Sequence, residues 1–380
     1  MVNFAIGDEP TPMTQSLHIC HVTTIHPSKD VRIFHKECRS LAKAGYRVTL
    51  LVGNGESEKI DGVDIIGIPV SFSGRMSRFL NLGKALYRAA LSQNADVYHF
   101  HDPEFLPHAS KLAKAGKKVV YDVHEDLPRQ ILGKHYLPKL VAIVLAGIAE
   151  FFEDRVAKRM SHIITATDYI RARYLKLNSN TTTVKNYPIL QDDLKPNQFS
   201  EKERAVCYIG AIAKVRGIVQ MVDSMQYVEG EFHLGGKFNP PDLRNQVVLK
   251  PGWKKVNEHG FVNRTEAFSI LKRSKVGFVV LEPIINYLDA LPVKMFEYMA
   301  AGIPVVASDF PLWRSIIEKW DCGICVDPND PKAIAEAVNR LLDDDGPAQQ
   351  MGLNGRRGVE EECNWGNEEK FLLNVYSQLS

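Results

Sequence analysis

The stretch Asp289-Ala-Leu-Pro-Val-Lys-Met-Phe-Glu-Tyr-Met-Ala-Ala-Gly-Ile-Pro-Val-Val-Ala-Ser-Asp309 reads as a loop, a helix, a glycine stop and a strand. Pro292 suits a first helical turn, the residues to Ala301 are good helix formers, and Gly302 ends the helix before the apolar run Pro304–Ala307 starts a strand. Lys294 and Glu297 are three residues apart and share one helical face, the lysine nearer the positive end of the helix dipole. Such a face suits a phosphorylated, hydroxyl-bearing ligand. The amides of Ala290 and Leu291 together with Lys294 can receive anionic oxygens, and Glu297 one turn on can accept hydrogen bonds from a ribose diol. The competing reading is a surface ion pair, the usual fate of an i,i+3 Lys/Glu pair.

Outward from this stretch, apolar runs alternate with amphipathic ones. His18–Thr23, Val48–Val52, Val63–Ile68, Val97–His101, Val119–His124 and His162–Thr165 read as strands before the polar, turn-rich break Asn186–Glu203. Ala205–Ile209, Glu231–Gly235, Val276–Val280, Pro304–Ala307 and Gly323–Val326 read as strands after it. The alternation predicts an α/β protein with two parallel, doubly wound domains, residues 18–187 and 204–365, joined by a linker over 188–203. Ligands are then expected beyond the carboxyl ends of strands.

Glu297-Tyr-Met-Ala-Ala-Gly-Ile-Pro-Val-Val-Ala-Ser308 resembles the donor-site motif of family 4 glycosyltransferases, and the likeness runs from His18 to the C-terminal helix Glu368–Leu379. The resemblance implies the GT-B architecture, two Rossmann-like domains facing across a cleft with the last segment, 366–380, returning to the first. It also implies retaining transfer of a hexose from a nucleotide-diphosphate sugar to a glycan or lipid-linked glycan, with UDP and glucose first on base rates. The family carries a Glu, seven residues and a second Glu. Here Glu297 is the second, and the first position holds Asp289, one methylene shorter.

Gly210-Ala-Ile-Ala-Lys-Val-Arg-Gly217 resembles the family's Gly-Arg-Leu followed by Lys-Gly, whose cations grip the donor pyrophosphate. Ala211 stands at the Arg position and Arg216 at the Lys position, with Lys214 a substitute cation. The turn lacks Gly-x-Gly-x-x-Gly, which speaks against a dinucleotide cofactor. Gly260-Phe-Val-Asn-Arg264 resembles the loop that cradles the base, where main chain around Val262 would read a uracil edge. His124 matches a histidine that contacts the donor sugar. The resemblance thus assigns catalysis to His124, Asp289, Arg216 and Lys294. It assigns donor binding to Gly210, Arg216, Val262, Asp289, Ala290, Leu291, Lys294 and Glu297.

On the same reading Arg216, Lys294 and a helix amino end oppose the charge of the departing diphosphate, so neither a metal nor any other cofactor is expected. Asp343-Asp-Asp345 contains an Asp-x-Asp, but it sits at an acidic helix end before Gly346-Pro347 and reads as a solvated terminus. His99-Phe-His-Asp-Pro-Glu104 and Tyr121-Asp-Val-His-Glu-Asp-Leu-Pro128 lack the His-x-x-x-His spacing of zinc hydrolases.

Lys29, Asp30 and Arg32 after the first strand and Asp102 after the fourth are acceptor-side candidates, against the alternative of a solvated turn. The segment Pro128–Phe152 mixes Arg129, Lys134, His135 and Lys139 with Ile131, Leu132, Leu137 and a longer apolar run. It can lie on a bilayer from the periphery or pack on the sheet.

Composition bounds the rest. The 380 residues carry a net charge of +2, spread as 25 Lys and Arg against 18 Asp and Glu in residues 1–190 and 22 against 27 in 191–380. The acidic second half argues against a nucleic-acid partner, while the basic first half suits an anionic acceptor or a membrane surface. Six cysteines without framework spacing fit a reducing compartment. Residues 1–17 lack a basic region followed by an apolar run and read as a disordered leader, and Leu140–Ala149 is too short to span a bilayer. A cytoplasmic protein, at most peripheral at the inner membrane face, is expected. Two rivals stay open: an epimerase of the same fold using Asp102, His124 and Glu125, and a non-catalytic partner subunit. The latter is suggested by Ala211 and Asp289.

Overall fold

In the computed structural model, residues 16–53, 55–69, 81–134, 137–190 and 198–379 are described. Residues 1–15 of the expected leader, His135, and residues 191–197 of the expected linker lie outside them. The chain groups into two compact units, Met1–Tyr121 with Val375–Ser380, and Asp122–Asn374.

The first unit holds strands β1 (His18–Thr23), β2 (Arg47–Gly53), β3 (Glu58–Ile60), β4 (Val63–Ile68), β5 (Val97–Phe100) and β6 (Lys118–Val123), the last two residues of β6 counting with the second unit. Their order is β3-β4-β2-β1-β5-β6, and only the edge strand β3 is antiparallel to its neighbour. Helices Gly83–Gln93 and Leu106–Lys114 make two of the crossovers that parallel pairing requires. All six residues of β1 are buried, as befits a central strand covered on both faces. The last turn of the Trp365–Leu379 helix groups with this unit. There the Tyr376 hydroxyl meets His99 Nδ1 at 2.6 Å, and Lys118 Nζ donates to the Leu379 carbonyl.

In the second unit β7 (His162–Thr165) pairs in parallel with β8 (Thr181–Thr183). Strands β9 (Glu203–Ile209), β10 (Glu231–Gly235), β11 (Val256–Gly260), β12 (Ser274–Val279), β13 (Val305–Ser308) and β14 (Gly323–Val326) form a second, wholly parallel sheet in the order β11-β10-β9-β12-β13-β14. Side chains alternate across it: Val206 and Tyr208 join one core with Phe232 and Phe278, while Cys207 and Val279 join the other with Met295, Phe296 and Trp313. The chain builds outward from β9 through β10 to β11, then returns to β12 on the far side of β9. That reversal is a topological switch point, where the loops leaving β9 and β12 diverge and open sheets bind ligands.

Strands β3, β8 and β11 have no counterpart in the sequence reading because they are short and polar; β11 is Val-Asn-Glu-His-Gly, at a sheet edge. The strand expected from Pro304 begins at Val305, since proline has no N–H to give the ladder, although its carbonyl accepts from Gly277 N at 3.0 Å. Among the described residues no helix is long and apolar enough to cross a membrane.

Candidate functional site

The helix that follows Asp289 spans Val293–Ala300 with Pro292 as its N-cap. It buries Met295, Phe296, Tyr298, Met299 and Ala300, which leaves Lys294 and Glu297 on the half-buried opposite side. These two do not form an ion pair among the described residues, so the surface-pair reading does not describe them. Lys294 turns towards the end of β9, with Nζ 5.5 Å from the centre of the Tyr208 ring. It lies over Gly210, where a Cβ would fall inside contact distance of the ammonium. Gly210 has φ +144°, a conformation open to glycine, and its N–H is held by the Gly235 carbonyl at 2.8 Å.

Arg216 ends the short helical turn Lys214–Arg216. Gly217 follows at φ +72°, packed so closely on the Val280 carbonyl that a Cβ would collide with it. The Arg216 guanidinium lies beside the phenols of Tyr208 and Tyr287, and the Tyr208 hydroxyl donates to Ala211 O at 2.9 Å. Burial disfavours the Arg216 charge, but contact with Tyr208 and Tyr287 and the field of Glu125 raise its pKa overall. Lys294 shows the reverse. Burial lowers its pKa, Glu297 pulls it up, and the Arg216 cation pushes it down again. Two neighbouring cations thus stand at the switch point, and neither has an ion-pair carboxylate among the described residues. Lys214 and Ala211 are exposed.

A cavity of about 90 Å³ lies beside this pair, lined by His124, Glu125, Asp126, Arg129, Thr167, Tyr169, Ile170, Asn286, Tyr287, Asp289 and Ala290. It brings His124 together with Asp289 and Ala290, which the sequence singled out in a separate stretch. Asp289 Oδ2 accepts from Arg129 Nη1 at 2.6 Å, and the Arg129 guanidinium sits 4.4 Å from the centre of the Tyr169 ring. The loop is pinned by Trp313 Nε1, which donates to Ala290 O at 2.7 Å. The Ala290 amide makes a long bond, 3.3 Å, to Tyr287 O. His124 Nε2 lies 2.7 Å from Oδ2 of the buried Asp122. With Asp122 ionised, which can only accept, Nε2 would carry the hydrogen and Nδ1 would be the ring's other polar atom.

Val262 packs on Gly235 in the loop after β11. The next residue, Asn263, caps helix Arg264–Arg273 through a reciprocal capping box with Glu266. Leu291 lies between the pinned Ala290 and the helix start. Arg129, Tyr169, Tyr208 and Tyr287 were not picked out as site residues from the sequence. The signal for Arg129 was its place directly after the strand-end cluster Tyr121–Pro128; the tyrosines offered none.

In the first unit, the acceptor-side candidates have structural duties. Asp30 caps the helix over Val31–Cys38, accepting from the amides of Arg32 at 2.8 Å and Ile33 at 3.0 Å. Arg32 is buried in an ion pair with Glu37 at 3.1 Å, and Lys29 reaches Glu58 at 3.3 Å. Asp102 is buried and accepts from Thr23 Oγ1 at 2.7 Å and Thr24 N at 2.6 Å. His21, His99, His101 and Glu37 form a buried group in the same unit. In it His21 Nδ1 lies 2.9 Å from His101 Nε2, and the rings of His99 and His101 stack at 4.5 Å.

Two family models divide the chain: "Glycosyltransferase Family 4" matches residues 31–186 and "Glycosyl transferases group 1" matches residues 191–358. An uncharacterised glycosyltransferase of Methanocaldococcus jannaschii is 28% identical over 46% of this chain and 45% of its own length. The chain thus spans about half the length of that relative. The phosphatidyl-myo-inositol mannosyltransferase of Mycolicibacterium smegmatis is 22% identical over 90% of this chain and 87% of that protein. Among solved structures, the sucrose-phosphate synthase of Thermosynechococcus elongatus superposes with a TM-score of 0.79 at 17% identity, over 96% of this chain and 99% of that one. The Anabaena HepE protein in complex with UDP-glucose superposes with a TM-score of 0.69 at 13% identity, over 95% and 100%. These two superpositions speak to the fold, which is GT-B.

Proposed function

We propose that this chain, which belongs to the family 4 glycosyltransferases with the GT-B fold, moves a hexosyl group from a nucleotide-diphosphate sugar to a hydroxyl of a glycan or lipid-linked glycan. The observation that carries the proposal is the Arg216–Lys294 pair. Two cations are held side by side at the switch point without a counter-carboxylate, and the lowered pKa of Lys294 shows that its charge is held at a cost. A bound diphosphate removes that cost and supplies the missing negative charge. Glu297, one turn along the same helix face, takes the ribose diol, and main chain around Val262 takes the base. UDP-glucose is the first donor to try, on base rates and because the Anabaena protein of the same fold binds it.

The bond between the sugar's anomeric carbon and the β-phosphate oxygen breaks as a bond to the acceptor hydroxyl oxygen forms on the same face, which retains the anomeric configuration. The acceptor's proton passes to the departing phosphate. Arg216 and Lys294 oppose the charge that develops on the leaving group, and with two fixed cations no metal is needed for that task. Asp289, held by Arg129, and His124, held by Asp122, orient the sugar hydroxyls.

Incubation with a panel of nucleotide sugars, reading released nucleotide, tests the proposal. Slow hydrolysis or acceptor-dependent release that disappears in Lys294→Ala supports it. An isomerised sugar with no need of acceptor would make the chain an epimerase, and no turnover with any donor would make it a partner subunit.

A further inference from the structure

The helix Lys139–Ala157 is inverted in polarity relative to an ordinary surface helix. The side packed on the protein carries the small Ala142, Ala146 and Ala157 with Val156 and Glu153, while Leu140, Ile143, Val144, Ile148, Phe151 and Phe152 are between 50% and 78% exposed. At 100° per residue these six fall on one broad outward face about three turns long. Soluble surfaces rarely expose a continuous apolar patch of this kind without a partner for it.

The charges around the patch indicate which partner. The carboxylates of the last turns are drawn to Arg173, which donates to Glu153 Oε2 at 3.0 Å and Asp154 Oδ1 at 2.7 Å and lies 3.8 Å from Glu150. The cations have no such arrangement. Lys134 and Lys139 stand before the patch and Arg155, Lys158 and Arg159 beyond it, all but the half-buried Lys134 exposed, and none is ion-paired among the described residues. A second copy packed on this face about a two-fold axis would set cations against cations at both ends, whether the helices ran parallel or antiparallel. A planar layer of anionic headgroups over an acyl interior matches both features at once.

We propose that the Lys139–Ala157 helix docks in the surface of an anionic phospholipid bilayer, lying in its plane. Its apolar face spans about 20 Å at 1.5 Å per residue, too short to cross a hydrocarbon core of about 30 Å. The Lys and Arg stems lie along the acyl boundary with their charges among the headgroups. Docking rests on no part of the glycosyl-transfer reading. If both hold, the acceptor is a lipid-linked glycan, because the helix Leu127–Leu132, which carries Arg129, packs directly on the docking helix.

The test is co-sedimentation of the full chain with phosphatidylcholine vesicles, with and without phosphatidylglycerol, and with no donor present, so that failure here leaves the transfer reading untouched. The wild type is expected to pellet with the anionic vesicles and to be released by salt. Ile143→Glu with Phe151→Glu should lower partitioning at least tenfold. Each of Lys139→Gln and Lys158→Gln should lower it about fivefold. These positions are exposed, and an unchanged thermal melt by circular dichroism checks the fold. The proposal is overturned if the wild type stays in the supernatant, whether as a monomer or as a dimer that Ile143→Glu dissociates, or if the variants pellet as the wild type does.

Discussion

Arg129 Nη1 donates to Asp289 Oδ2 across 2.6 Å, tying the helix Leu127–Leu132 to the loop that leads into Val293–Ala300. Asp289 is one methylene shorter than the family's first glutamate, and in this chain an arginine from another element reaches it. The pair is half-exposed, so its worth lies in positioning and not in fold stability. Arg129→Ala and Asp289→Ala should each lower kcat/KM for the donor about 10- to 100-fold, the range of a charged hydrogen bond of about 1.5–3 kcal/mol. Because the two act as a unit, the double variant should be no worse than the poorer single one. Additive losses in steady-state kinetics would show that they act separately.

On the proposed reading, removing either cation strips charge from the leaving group's side of the reaction. Arg216→Ala or Lys294→Ala should cost on the order of 100-fold or more in turnover. Wild-type turnover in either variant removes that residue from the site.

On the same reading, Glu297→Ala acts elsewhere on the donor. It should weaken nucleoside diphosphate binding about tenfold in calorimetry while leaving the chemistry of bound donor near normal. Unchanged affinity refutes the ribose contact.

Donor binding should weaken on the alkaline side earlier than an ordinary lysine would allow. In the ligand-free protein burial, opposed by Glu297 and reinforced by Arg216, holds Lys294 below its usual value of 10.5. A diphosphate binds the protonated form, so affinity is full below that lowered pKa and falls as pH rises through it. For the fold the sign is opposite. A lysine with a depressed folded-state pKa destabilises the protein while protonated, and a bound diphosphate relieves this. UDP should therefore raise Tm at neutral pH, with the increment shrinking as pH climbs and largely absent in Lys294→Ala. A pH-independent increment would contradict the assignment.

Gly210→Ala probes the packing between β9 and the lysine. The added Cβ meets Lys294 Nζ and must adopt φ +144°, so donor affinity and stability should both fall. Gly116→Ala, at φ +76° with no neighbour within 4 Å, is the control: it carries backbone strain of a similar kind, about 1 kcal/mol, without touching donor binding. Equal effects of the two on affinity would mean that strain alone explains Gly210.

Chelation gives a further check on the proposal that two fixed cations take the role a metal would play. EDTA should leave turnover unchanged, and activity that vanishes with EDTA and returns with a divalent cation would reassign the charge stabilisation.

The parallel sheets were legible because their central strands are buried on both faces and so read as apolar runs between helices; β1 and β9 show this. Strands β3, β8 and β11 were not, since three to five mostly polar residues carry no apolar run to mark them. Lys294 and Glu297 could be placed on one face from their spacing alone. Their lack of mutual pairing could not, because it depends on Gly210 leaving room for the lysine to swing towards β9. Contacts across long separations, such as Arg129 with Asp289, leave no local trace. The polar residues of the Ile25–Arg32 loop show the opposite difficulty. Asp30 and Arg32 look like ligands at a strand end, and the fold uses them as a helix cap and a buried ion pair. For Pro128–Phe152 the sequence allowed packing or bilayer contact, and the structure turns the large apolar side chains outward.

Crystals of the chain grown with UDP-glucose give the most direct test. The diphosphate is predicted against the Arg216 guanidinium and Lys294 Nζ, with the ribose hydroxyls on the Glu297 carboxylate. A nucleotide bound away from these three residues, with Lys294 still lying over Gly210 and no anion beside it, would contradict the assignment.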